Sequence, residues 1–142
     1  MDDLGLRAVT KRYCEEFQEE TGIKTDFRIF GDKTRLNSDI EVTLFRVIQE
    51  SLTNVRKHSK AKNCVVKLEF SDGKVNLVVT DDGAGFEINA QDGKDAGQHF
   101  GIMTIKERVA LVDGSFNIES IPGQGTKIFT SIPFTHSLER RI

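Results

Sequence analysis

Between Ser38 and Val55, apolar side chains return every third or fourth position: Leu44, Phe45, Ile48, Leu52 and Val55 fall on one face. That spacing predicts an amphipathic helix ending near Lys57 or His58. Ser38 and Glu41 form a capping box at its start. A second stripe, Leu4, Val9, Tyr13 and Phe17, predicts a helix from Asp2 to Glu20 stopped by Gly22. A third, Ile102, Ile105, Val109 and Val112, predicts a helix from Gly101 to Val112 with Gly114 as its C-cap. Elsewhere the period is two. Ile23, Thr25, Phe27 and Ile29 alternate with Lys24, Asp26 and Arg28, a half-buried strand, and a polar turn around Gly31-Asp32-Lys33 follows. Cys64 to Phe70 and Val75 to Thr80 flank Ser71-Asp72-Gly73-Lys74 as one hairpin. Phe116 to Ile121 and Thr126 to Phe134 flank Pro122-Gly123-Gln124-Gly125 as another. The order helix, strand, helix, hairpin, loop, helix, hairpin predicts a two-layer α+β sandwich, with helices covering one face of a mixed, mostly antiparallel sheet.

The stretch from Asp82 to His99 breaks the pattern. It holds Gly83, Gly85, Gly93 and Gly97 and few apolar residues. A loop of that length inside a compact domain is uncommon and is often functional. The tail from Thr135 to Ile142 is expected to be loosely ordered. No repeat, low-complexity tract or interdomain linker divides the chain, so residues 1–142 are expected to form one domain.

Charge and composition narrow the classes. Twenty Lys and Arg stand against 22 Asp and Glu, without the basic excess of a dedicated nucleic-acid binder. Apolar runs are only a few residues long, too short to span a membrane. Asp2 and Asp3 replace the basic start of a signal peptide. Cys14 and Cys64 lie far apart with no metal-ligand spacing, so both read as reduced, buried thiols of a cytosolic protein.

Four stretches carry candidate chemistry. In "QESLTNVRKH", Glu50, Asn54 and Lys57 share a helical stripe. An Asn amide oxygen suits a hard cation such as Mg²⁺, and Lys57 and His58 could meet phosphate charge. Taken alone, a solvated polar face explains the same residues. In "VVTDDGAGF", a strand runs into Asp81-Asp82-Gly83-Ala84-Gly85. That is a tight turn on one reading. On the other, an acid awaits an exocyclic amine beside glycines that admit a flat ring. In "GQHFGIMTIKERV", Gly101 stands where the loop becomes a helix, whose N-terminus can hold an anion. "PGQGTKI" is by itself only a hairpin turn.

Together, in this order and spacing, the four stretches resemble the GHKL ATPase superfamily, most closely the catalytic ATP-binding domain of sensor histidine kinases of the NarL-partnered type. "QESLTNVRKH" looks like the N box, "DDGAG" the G1 box, "FGIMTIKER" the G2 region and "GQGT" the last glycine motif. "DDLGL" is similar to the segment that joins the dimerisation helices to the ATPase domain. The resemblance covers Asp2 to Phe134. It implies the Bergerat form of the two-layer sandwich, Mg²⁺ and ATP as cofactors, and an ATP lid over Glu87 to Phe100. It implies that Asn54 binds Mg²⁺ and that Asp81 takes the adenine amino group. Gly83 and Gly85 would shape the adenine pocket, with Phe86 and Ile102 beside the nucleotide. Lys57 and His58 would lie near the phosphates. Gly101 would let the lid helix approach them, and Thr126 would help at the adenine end. Glu50 matches the acid that activates water in ATPase members of the superfamily.

One departure matters. Kinases of this type phosphorylate a histidine usually followed by an acid, whereas His58, His99 and His136 precede Ser59, Phe100 and Ser137. The phosphoacceptor is therefore expected on separate dimerisation helices, with a response regulator beyond them. The domain itself is expected to be monomeric and cytoplasmic, touching neither nucleic acid nor membrane, whatever anchors its parent kinase. The alternative is a stand-alone GHKL serine kinase of the anti-sigma-factor type, similarly short. "DDLGL" and "IKERV" favour the sensor-kinase reading.

Overall fold

The computed structural model describes residues 3–31, 36–85 and 96–134. Helix α1 (Asp3–Thr21) leads to strand β1 (Lys24–Phe30) and helix α2 (Ser38–Asn54). A π-helical turn, Val55–Ser59, extends α2, and strands β2 (Asn63–Ser71) and β3 (Lys74–Asp81) follow. Helix α3 (Ala96–Ala110) and strands β4 (Ser115–Ile121) and β5 (Gly125–Pro133) complete the order. The five strands lie in the order β1-β2-β3-β5-β4. The β1–β2 pair is parallel and every other pair antiparallel. This is the expected α+β sandwich with a mixed sheet.

The period of two decides which face the helices cover. Cys64, Val66, Leu68 and Phe70 of β2 are buried, as are Val75, Leu77 and Val79 of β3 and Ile128, Thr130 and Ile132 of β5. Their neighbours in sequence are half-buried or exposed, so the opposite face of the sheet is open. Against the closed face lie Leu44, Val47, Ile48 and Leu52 of α2, each fully buried. Helix α2 contacts both α1 and α3, while α1 packs on β1 and α3 on β4. The β2–β3 turn is the two-residue type read from Asp72-Gly73, both at positive φ (53° and 75°).

Several expectations need correction. The inner stripe of α1 is Leu6, Thr10, Cys14 and Phe17, while Val9 is 36% exposed. Thr10 and Cys14 carry little hydrophobic signal, so the buried face stands one position off the apolar one. Tyr13 keeps a part-buried place edge-on to Phe45, with ring centroids 5.5 Å apart. The cap of α2 is Asn37, whose Oδ1 accepts from the Ile40 N–H at 3.0 Å, so Ser38 is the first helical residue. Glu41, expected to complete a capping box, is fully buried instead. Helix α3 begins at Ala96, so Gly101 lies inside it and not at its start. At its far end Asp113 takes the left-handed conformation (φ 62°), and the Gly114 N–H donates to the Val109 carbonyl at 3.0 Å. Gly114 is needed for closeness: a Cβ there would come 2.7 Å from Val109 Cγ1. Phe86, residues 87–95 of the expected lid and the tail from Thr135 lie outside the described residues. The last five lid positions, residues 96–100, belong to α3.

Candidate functional site

Strand β3 delivers Asp81. It shares the parity of Val75, Leu77 and Val79, so it stands on the helix-covered side, where the sheet ends. The Gly83 N–H donates to Asp81 Oδ1 at 2.8 Å, an Asx turn that orients the carboxylate. Burial pushes the Asp81 pKa up, opposed by the Gly83 N–H, raised further by the charge of Asp82 and lowered by the Thr126 backbone. Two backbone donors use at most half of the roughly four acceptor positions of a carboxylate. Capacity is left for an incoming N–H.

Its neighbour Asp82 is exposed and bonded to the chain. Its Oδ1 accepts from the backbone N–H groups of Lys62 and Asn63 at 2.9 and 3.0 Å. Its Oδ2 accepts from Asn63 Nδ2 at 2.8 Å. The Asn63 side chain and these backbone donors hold the Asp82 carboxyl down at about 2. Two adjacent acids therefore differ in kind: one is spoken for by the start of β2, the other keeps room for a ligand.

The glycines beyond them lock two segments together. Gly85 stands at φ +68°, and a Cβ there would collide with the Ile121 carbonyl. Gly125 stands at φ +91°, and a Cβ there would collide with the Asp81 carbonyl. The Gly123 N–H donates to the Ala84 carbonyl. The β4–β5 turn is thus pressed against the loop that leaves β3, and Gly83 is buried between them. Thr126 pairs with Asp81 in the sheet, its hydroxyl 2.7 Å from that of Ser120. A cavity of about 210 Å³ opens here, lined by Asp81, Gly125 and Thr126 with Thr80 and Lys127.

Helix α2 supplies the second group. Asn54 is its last α-helical residue, and the π turn then redirects the chain until Lys60 reverses it at φ 54°. The Asn54 Nδ2 is buried with no hydrogen-bond partner among the described residues. Such an amide is costly unless something meets it. Among the described residues no cluster of three His, Cys, Asp or Glu could hold a metal. A Mg²⁺ ion held through the Asn54 amide oxygen would draw its remaining ligands from phosphate oxygens and water, a set that suits that ion. One turn earlier on α2, Glu50 is half-buried, and a Cβ on Gly101 would lie 3.0 Å from Glu50 Oε2. Gly101 so brings α3 against the Glu50 carboxylate. Ile102 is buried beside it and Lys57 is exposed. The His58 side chain lies outside the described atoms. Cys14 and Cys64 are free and buried, each pushed up to about 12 chiefly by burial. Sequence reasoning missed the bracing partners Asp82 and Asn63. The acidic doublet was the available signal.

The Asp81 turn where the sheet ends and the Asn54 and Glu50 face of α2 are thus the two candidate ligand-binding clusters, and the cavity at Asp81 is not lined by either α2 residue. A family model described as histidine kinase-, DNA gyrase B-, and HSP90-like ATPase matches residues 39–136, and the chain belongs to that ATP-binding family. It is 42% identical over 135 residues to the signal transduction histidine-protein kinase/phosphatase DegS of Brevibacillus brevis, covering 95% of this chain and 34% of that protein. It is 36% identical over 139 residues to DegS of Bacillus subtilis, covering 95% of this chain and 36% of that protein. The chain thus spans about a third of the curated relatives it matches. The histidine kinase domain of the Erythrobacter litoralis EL346 blue-light activated histidine kinase superposes with a TM-score of 0.71 at 22% identity, over 92% of this chain and 62% of that one. Full-length ShkA in complex with AMPPNP superposes with a TM-score of 0.72 at 21% identity, over 93% of this chain and 30% of that one. These two show the shared fold. Among the described residues no helix is long and apolar enough to cross a membrane.

Proposed function

We propose that this domain binds Mg²⁺-ATP and donates the γ-phosphate to a histidine on the dimerisation helices of a longer sensor kinase, which passes it to a response regulator. What carries the reading is an Asp81 carboxylate with acceptor capacity at the end of β3 and a half-buried Asn54 whose Nδ2 has no hydrogen-bond partner among the described residues, in a chain of this ATPase family. The relatives named above are histidine kinases, and nothing among them supports the serine-kinase alternative. Asp81 accepts the adenine amine, with Gly83, Gly85, Phe86, Ile102 and Thr126 around the base. Asn54 holds the metal, Lys57 and His58 lie near the phosphates, and Gly101 lets α3 approach them. When bound, Mg²⁺ screens the triphosphate charge. Glu50 stands next to Asn54 on the same helical face, placed to accept a proton or to orient the acceptor. Phosphoryl transfer is mostly a matter of position and charge, so the chain's work is to hold the donor in line.

The decisive experiment supplies radiolabelled ATP and Mg²⁺ to the chain with a separate fragment carrying the dimerisation helices. Acid-labile label is expected on the fragment, weaker than within one tethered kinase because effective concentration is lost. Little label is expected on the chain itself, since His58, His99 and His136 lack the acidic neighbour. Acid-stable label on a serine of the chain would overturn the reading in favour of a serine kinase.

Acid should weaken binding early. The adenine amine needs the ionised form of Asp81. Burial raises that pKa, so ADP affinity is expected to hold at neutral pH and to start falling above the ordinary aspartate range near about 4. Asp82, held at about 2, stays charged throughout. Calorimetric titrations stepped down from neutral pH measure this, and affinity constant to about pH 4 would count against Asp81 as the acceptor.

A further inference from the structure

We infer that Asp82 is a positioning residue for base recognition: by anchoring the middle of the Asp81–Gly83 Asx turn to the start of β2, it aims the Asp81 carboxylate at the nucleotide base. The inference rests on the nucleotide reading above. Its basis is the number and direction of bonds at one residue. The Asp82 backbone N–H donates to the Asn63 carbonyl at 3.3 Å. Its two carboxylate oxygens take three donors from Lys62 and Asn63. Four hydrogen bonds thus fix a residue that is otherwise exposed, at the centre of a turn whose flanks are Asp81 Oδ1 and the Gly83 N–H.

The direction of each side chain shows what the anchor is for. Asp81 ends the ladder opposite Cys64, and Asp82 extends past it to grip Asn63. Without that grip the turn could pivot about the Asp81 Cα, and the Asp81 carboxylate would lose its fixed bearing while keeping its place in the strand. Lys62 is also the residue whose carbonyl accepts from the Lys24 N–H at 2.9 Å. The anchor therefore ties the base-side turn to β2, through Lys62 to the edge strand β1, and to the chain that has just left the π turn after Asn54.

A brace for global stability and a brace for base recognition predict different data. ADP carries the exocyclic amine that Asp81 reads, whereas IDP has a carbonyl in its place and shares every phosphate contact. Asp82→Asn keeps an oxygen for the two backbone donors but removes the charge that strengthens all three bonds, and its Nδ2 meets the Asn63 Nδ2 until that exposed amide turns over. We expect Asp82→Asn to weaken ADP binding roughly tenfold, with IDP binding changed by less than about twofold. Combining it with Asn63→Asp restores a donor–acceptor pair and should recover ADP affinity. Asn63→Ala, a surface change that leaves the backbone donors in place, should give the same selective loss in smaller measure and serves should Asp82→Asn fold poorly. Equal losses for ADP and IDP, or no loss for either with any variant, would overturn the inference while leaving nucleotide binding standing. An unaltered chain that binds neither ADP nor ATP would remove the nucleotide reading and the inference with it.

Discussion

Replacing Asp81 with Asn is expected to weaken ADP binding roughly a hundredfold, about 2.7 kcal/mol, without unfolding the domain. The substitution keeps an oxygen for the Gly83 N–H and so keeps the turn. It also turns an acceptor into a donor that faces the amine of the base. A site built to hydrogen-bond a ligand pays for the mismatch twice, through the lost bond and through two donors left unpaired in a dry place. Stability should move the other way. Burial makes the ionised carboxylate unfavourable in the folded state, so its raised pKa marks a charge the fold tolerates at some cost. At neutral pH a neutral amide removes that cost, and the melting temperature is expected to stay level or rise slightly. Calorimetry with ADP and thermal melts by circular dichroism measure both. A variant that binds ADP as well as the parent chain, or that loses binding only because it unfolds, would displace Asp81 from the base-reading role.

Gly125→Ala is expected to destabilise the domain by about 3 kcal/mol or more, beyond ordinary surface changes. Two effects combine. The left-handed backbone costs a non-glycine residue roughly 1–2 kcal/mol. The new methyl group would also collide with the Asp81 carbonyl in the neighbouring strand, which cannot yield without opening the β3–β5 ladder. Gly123→Ala is the control. Gly123 has a similar positive φ of 85°, but a Cβ there meets nothing within 4 Å. Only the backbone term of roughly 1–2 kcal/mol should remain. Denaturant melts of both variants separate steric lock from conformational strain. Equal losses would show that the collision relaxes cheaply.

The parts of the fold that were legible in the sequence are those set by side-chain period. The α2 stripe of Leu44, Ile48, Leu52 and Val55, the Asp72-Gly73 hairpin and the inward residues of β2 and β3 follow from spacing alone, because burial of one face is the strongest constraint on each. Less legible was anything decided by a small or polar residue. Thr10 and Cys14 fill the inner face of α1, and a search for large apolar side chains passes over them. Asn37 and Ser38 are both good caps, and only backbone geometry selects between them. The start of α3 lay hidden because Ala96, Gly97, Gln98 and His99 carry no stripe. The parallel β1–β2 pair and the place of β5 between β3 and β4 are long-range choices that local pattern cannot contain. Among the candidate site residues, Glu50, Asn54 and Asp81 came forward only through the resemblance carried by four stretches together, since each stretch alone reads as a polar face or a turn. The division of work within the acidic doublet did not, since it depends on Asn63, nineteen positions away in sequence.

The interlock of Ala84 and Gly85 with residues 121–125 also bears on when the site comes into being. Strand β3 lies in the middle of the sheet, yet its partner on one side, β5, is the last strand of the chain. Until Gly125 and Thr126 are in place, Asp81 has no neighbour on that flank, and the loop after it has no floor. A chain growing from a ribosome can pair β2 with β3 through their short hairpin, but the parallel β1–β2 pair and the β3–β5 pair that flanks Asp81 both close over far longer stretches. Such non-local steps tend to be slow relative to local ones. With Asp81 as the base acceptor of the proposal above, nucleotide would be a ligand of the finished domain and not of its nascent forms, a seal on folding rather than its template.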